Sequence, residues 1–144
     1  MQSLLVDVLN QDDGRRWVLD QRLGAEPQGR FECALRESLQ DTPSEQLAAV
    51  LVSGLTVGEL DFRPMGLWSA AVGEADFVLP PLANHLFTRD PAAVVHDGVM
   101  TSAMALPARR PETVHLKALL RHHPVFSQPT LHEWFDGSAT RTLP

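Results

Sequence analysis

Leu4-Leu5-Val6-Asp7-Val8-Leu9-Asn10-Gln11-Asp12-Asp13-Gly14 is the stretch on which the reading of the fold turns. Leu4, Val6 and Val8 alternate with Leu5, Asp7 and Leu9, which is the side-chain period of a strand. The run that follows is dense in turn residues and ends on Asp-Gly, a hairpin signal. Beyond it Trp17, Leu19 and Leu23 share one strand face, with Asp20 and Arg22 on the other. Residues 24–29, with Pro27 among them, make a second turn. Phe31, Cys33 and Leu35 then alternate with Glu32 and Arg36, although Phe31, Leu35 and Leu39 also match helical spacing. The expectation is an N-terminal antiparallel β-meander.

Working outward, Thr42-Pro43-Ser44-Glu45 opens a helix, with Ser44 or Thr42 as cap and Pro43 or Glu45 in its first turn. Leu47, Val50, Leu51 and Leu55 form its buried stripe, and Gly54 or Gly58 ends it. Val57-Gly58-Glu59-Leu60-Asp61-Phe62 recurs fifteen residues on as Val72-Gly73-Glu74-Ala75-Asp76-Phe77. Two copies read as two similar turns feeding short strands. Clustered carboxylates suit hard cations, but the spacing is not that of a calcium loop. Asp90-Pro91 starts a helix of small residues over 92–106, interrupted near Asp97-Gly98. A further helix runs from Arg110-Pro111-Glu112 to His123, and Ser127 caps a last one through Leu131, Trp134 and Phe135. Strands first and helices later give an α+β fold: a meander packed on helices, with a helical C-terminal half.

The 144 residues suit a single globular domain over 1–137 with a flexible C-terminal tail at 138–144. Hydrophobic residues form 44% of the chain and charged residues 21%, enough apolar surface to build a core. No run of 18 apolar residues exists to cross a membrane, and the N-terminus lacks a signal peptide's basic start and apolar run. Cys33 is the only cysteine, so no intrachain disulfide forms, which suits a reducing, cytoplasmic setting. It reads as a buried, inert thiol. The absence of Ile and Tyr, with a single Lys, points to a GC-rich, bacterial genome.

Charge is unevenly distributed. Residues 1–77 carry a net −7 and residues 78–144 a net +1, making up the chain's −6. All six histidines, His85, His96, His115, His122, His123 and His132, fall in the second half. No two sit at i, i+4, the spacing that aims two imidazoles at one ion, so neither a metal site nor a cofactor is expected. They read as surface and boundary residues. The acidic total argues against nucleic acid as a partner.

Phosphate loops, dinucleotide fingerprints, zinc-protease and serine-hydrolase motifs are all missing. The most suggestive segment is Val94-Val95-His96-Asp97-Gly98-Val99-Met100. It resembles the His-Gly-Gly-Val turn entering the central helix of hotdog-fold thioesterases, which implies backbone amides near Gly98 that polarise a carbonyl. The resemblance covers seven residues and departs at Asp97. The 38 residues after Leu106, broken by four prolines, leave no room for that family's long strands. The family is therefore not assigned. What survives is a small-enzyme alternative, with His96, Asp97 and His85 as candidate catalytic residues.

Arg110, Lys117 and Arg121 form a basic stripe on the helix of 111–123, which offers a second alternative, phosphate or nucleic-acid binding. Leu131, Trp134 and Phe135 make an apolar C-terminal patch. With no reaction motif, the leading expectation is a non-catalytic interaction protein: an adaptor, an accessory factor or a small chaperone. Its partner is another protein or a second copy in a homodimer, met through Leu131, Trp134, Phe135 and the basic stripe.

Overall fold

The structure is a computed structural model, and residues 2–26, 29–65, 71–82, 87, 89–127 and 132–136 are described. Four helices come first: α1 (Gln2–Leu9), α2 (Asp12–Leu23), α3 (Arg30–Asp41) and α4 (Ser44–Ser53). β1 (Leu55–Thr56), a 3-10 turn at Val57–Glu59 and β2 (Phe77–Leu79) follow, then β3 (Ala92–Val95) and β4 (Gly98–Thr101). A second 3-10 turn at Pro107–Arg109 leads into α5 (Arg110–His122), and β5 (His132–Phe135) comes last. The molecule is α+β. Within that class the order is the reverse of the expected one, because the first half is helical and the larger sheet lies in the second.

The expected meander fails because an apolar run as dense as Leu4–Leu9 satisfies two periods at once. Leu5, Val8 and Leu9 sit at i, i+3 and i+4, and all three are buried. The supposed hairpin turn is instead a helix start: Asp12 and Asp13 occupy the first turn of α2, where carboxylates favour the helix dipole. Gly14 supplies closeness. A Cβ there would lie 2.6 Å from the Val8 carbonyl oxygen and 3.3 Å from the Cβ of His122, so α1, α2 and α5 cross at this point. In α3 the helical spacing prevails, with Leu35 and Leu39 buried and Cys33 exposed. The expectation of a buried thiol is thereby corrected.

α4 runs as expected from Ser44, with Leu47, Ala48 and Leu51 buried. Ser44 does not cap it. Its Oγ accepts a 2.7 Å bond from Arg15 NH2, while Arg15 Nε donates to the Leu9 carbonyl at 3.0 Å and NH1 to those of Gln40 and Thr42 at 2.7 and 2.8 Å. One guanidinium thus satisfies carbonyls at the ends of α1 and α3 and ties both to the start of α4. The core lies among these helices and α5, built from Leu5, Leu9, Leu19, Leu47, Leu51 and Leu119 with their neighbours. Burying each such leucine contributes about 1.5–3 kcal/mol before chain entropy is counted.

The two copies of the six-residue repeat lie against each other. Val57 N–H donates to the Asp76 carbonyl and Gly58 N–H to that of Glu74, both at 2.9 Å. They flank the antiparallel β1–β2 pair, in which Leu55 faces Leu79. The expected helix over 92–106 is a hairpin. β3 and β4 pair antiparallel from Ala92–Thr101 to Val95–Gly98, with His96-Asp97 as the turn. The β-branched Val94, Val95, Val99 and Thr101 suit strands, and Asp97-Gly98 marks the hairpin rather than a helix break. The expected last helix is also a strand, since β5 joins β4 in parallel with His132 opposite Gly98. Gly98 is required there, because a Cβ would overlap the indole of Trp134. The tail 138–144 lies outside the described residues. Among the described residues, no helix is long and apolar enough to cross a membrane.

Candidate functional site

Pro107 and Pro111 set the local chain for a charged cluster. Pro107 opens the 3-10 turn and Pro111 sits in the first turn of α5, where a missing N–H costs nothing. The turn projects Arg109 back toward Glu112, one helical turn on. Arg109 Nε donates to Glu112 Oε1 at 3.0 Å and NH2 to Glu112 Oε2 at 2.9 Å, a bidentate pair. Asp90, at the entry to β3, accepts from the same NH2 at 2.9 Å. The Glu112 side chain is 3% exposed and that of Asp90 50%, with Arg109 between them at 23%. Glu112 foremost, and Asp90 after it, hold the Arg109 guanidinium above its ordinary range. The arrangement is layered: a buried carboxylate anchors a guanidinium, and a second carboxylate meets that guanidinium from the solvent side.

Sequence reasoning passed over this cluster. Asp90 was legible only as part of a helix start, and Glu112 only within the Arg110-Pro111-Glu112 run that opens the next helix. The signal lay in the Arg109-Arg110-Pro111-Glu112 run itself, where an arginine precedes a helix start and a glutamate three residues on can reach back to it.

The expected site residues are scattered by comparison. His96 stands exposed at the hairpin tip with φ of 52°, and Asp97 beside it lies 3.7 Å from the exposed His132. Gly98 begins a strand, so its amide is not at a helix N-terminus. His85 lies outside the described residues. Of the basic stripe, Arg110 is exposed and Lys117 half-buried. Arg121 bonds Glu133 at 3.0 Å and stacks 5.5 Å above the Trp17 ring. Trp134 is exposed, its indole N–H donating to the Val95 carbonyl at 3.3 Å, and Phe135 is half-buried. Leu131 lies outside the described residues.

The histidines also differ from a surface set: His115 is fully buried and His123 nearly so, with its Nε2 3.3 Å from Asp7 Oδ2. Three of the repeat's carboxylates accept hydrogen bonds within the protein. Glu59 accepts from the Thr56 N–H and hydroxyl at 2.8 and 2.7 Å, which lowers its proton affinity, and Asp76 accepts from the Gly73 N–H at 2.7 Å. Asp61 accepts from the Ser38 hydroxyl at 2.9 Å. Among the described residues, no group of three His, Cys, Asp or Glu is placed to hold a metal ion.

A family model described as arginine deiminase aligns with residues 1–142. It overturns the expectation of a non-catalytic adaptor, accessory factor or small chaperone. That expectation rested on missing motifs, and the absence of familiar motifs does not exclude an enzyme.

Proposed function

The chain belongs to the arginine deiminase family, and from that premise we propose that the Asp90–Arg109–Glu112 cluster grips a free arginine for hydrolytic deimination. In that reaction water adds at the guanidinium carbon, a C–N bond breaks, ammonia leaves, and a ureido group remains on the substrate. The substrate carries a guanidinium at one end and a carboxylate at the other. The cluster offers the complement of each.

The observation that supports this reading is the layered pairing of Arg109. Glu112 holds the guanidinium through two bonds from the buried side, so Asp90 is free to exchange partners without releasing it. Asp90, half-exposed, then accepts the substrate guanidinium in place of Arg109. The freed N–H face of Arg109 donates to the substrate carboxylate. Charge-assisted, planar pairing of this kind fixes orientation as well as affinity, and orientation is what a hydrolytic step at one carbon requires.

Titration calorimetry with L-arginine and with agmatine, its analogue without the carboxylate, tests the assignment. Asp90→Asn is expected to weaken both ligands by about tenfold or more, since each loses a charge-assisted bond. Arg109→Met is expected to weaken L-arginine alone. Equal binding of L-arginine by wild type and both variants sinks the proposal.

A further inference from the structure

A cleft lined by none of Asp90, Arg109 and Glu112 lies between the end of α2, the start of α3 and β2. Its volume is about 340 Å³, and Arg22, Phe31, Glu32, Leu35, Val78 and Pro111 are among its walls. That is the low end of small-ligand pockets, which run from about 300 to 1,000 Å³. It is large enough to admit a single small metabolite.

The walls carry a particular pattern of charge. Arg22 contributes a cation and Glu32 an anion, and the other lining residues carry aliphatic or aromatic side chains. The guanidinium of Arg22 is incompletely satisfied: NH1 donates to the Leu51 carbonyl at 3.2 Å and lies 3.5 Å from His115 Nε2, whereas NH2 is buried without a partner. Burial lowers its pKa to about 10. A buried donor without an acceptor carries a desolvation penalty that an incoming anion relieves. Glu32, as a carboxylate with several lone pairs, can accept a bond from an ammonium group in addition to those it makes within the protein.

We infer that this cleft is a binding site for a free apolar α-amino acid, held by its carboxylate on Arg22, its ammonium on Glu32 and its side chain against Phe31, Leu35 and Val78. A fatty acid matches the apolar wall and Arg22 but leaves Glu32 facing an apolar or anionic neighbour. An amine matches Glu32 and leaves Arg22 unpaired. Only a zwitterion with an apolar arm meets all three walls. Pro111 is one of those walls and directly precedes Glu112, so an occupant touches the helical turn that carries the anchor of Arg109.

Heteronuclear NMR on the full chain tests this with three probes: L-leucine, leucine amide, which lacks the carboxylate, and 4-methylpentanoate, which lacks the ammonium. L-Leucine is expected to shift the backbone amides of Arg22, Phe31 and Glu32 saturably. Each analogue is expected to bind at least about tenfold more weakly, about 1.4 kcal/mol. Glu32→Gln lowers leucine affinity and leaves 4-methylpentanoate binding no weaker; Arg22→Gln lowers both and leaves leucine amide binding no weaker. Should Arg22→Gln not fold, the Glu32 variant and the two analogues decide the matter alone. Absence of saturable shifts with leucine, or equal affinity for all three probes, overturns the inference. Because the readout is binding at the Arg22 and Glu32 amides, its failure leaves the Asp90–Arg109 reading standing.

Discussion

Glu112 and Arg109 form a bidentate ion pair across one turn, with bonds of 3.0 and 2.9 Å, and the carboxylate lies beneath the surface. Burial on one side only gives the pair a direction. The carboxylate is fixed and the guanidinium presents its outer face. Glu112 is thus a positioning residue for Arg109, acting through it and not on a substrate.

Glu112→Gln follows from that relationship. The amide keeps one acceptor for Arg109 and loses both the charge and the second bond. L-Arginine affinity is expected to fall by about tenfold, more than that of agmatine, which forms no bond to Arg109. Calorimetry on the two ligands checks the split, and equal losses for both would assign Glu112 a general structural role. Glu112→Ala is expected to lower the melting temperature more than Asp90→Ala, since only the former strips a buried partner from a charge.

Arg15 carries the clearest stability prediction. Its guanidinium makes four hydrogen bonds to groups at the ends of α1, α3 and α4. Arg15→Met keeps the aliphatic stem and removes all four, leaving several helix-end carbonyls unpaired. The expected cost is about 2–4 kcal/mol, read as a lower urea midpoint with an unchanged slope. Arg15→Lys restores only part of it, because an ammonium cannot span the same fork.

How much of this the sequence carried depends on where signals overlap. α4 and α5 are legible because proline and acidic first-turn residues mark their starts and one 3.6-residue stripe marks their buried faces. α1 is not, because Leu4, Val6 and Val8 give a strand pattern while Leu5, Val8 and Leu9 give a helical one, and only packing against α4 and α5 decides. β3 is hidden by Ala92 and Ala93, which carry no strand preference of their own. The same obscurity covers the site. Asp90 reaches Arg109 over 19 residues of chain, and that approach exists only once the intervening segment folds back as a hairpin. His96, conspicuous in the sequence, is what the same hairpin turns outward.

Gly14 tests the helix crossing. In an ordinary helix, Gly→Ala stabilises by about 1 kcal/mol. Here the new methyl would lie 2.6 Å from the Val8 carbonyl oxygen and 2.8 Å from its Cγ1. The backbone oxygen cannot yield without moving α1. Gly14→Ala is therefore expected to destabilise by about 1–3 kcal/mol, measured by chemical denaturation. A stabilised variant would show that α1 and α2 do not cross so closely.

His122 sets a pH dependence whose sign can be worked out. Burial first, and the Arg121 charge second, lower its pKa from the ordinary 6.5, with Asp13 opposing. Its Nε2 is buried without a partner and its ring packs 5.7 Å from that of Trp17, so the folded protein disfavours the imidazolium. Above about pH 6.5 both folded and unfolded states hold His122 neutral and it adds no pH dependence. As pH falls below that value the unfolded chain takes up the proton first, and stability declines until the folded-state pKa is reached, where the effect levels off. His122→Gln removes this titration. Urea melts of both proteins across about pH 7.5 to 5 are expected to show a shallower acid-side decline in the variant. Parallel profiles would mean that the His122 imidazole is charged as readily in the folded chain as in the unfolded one.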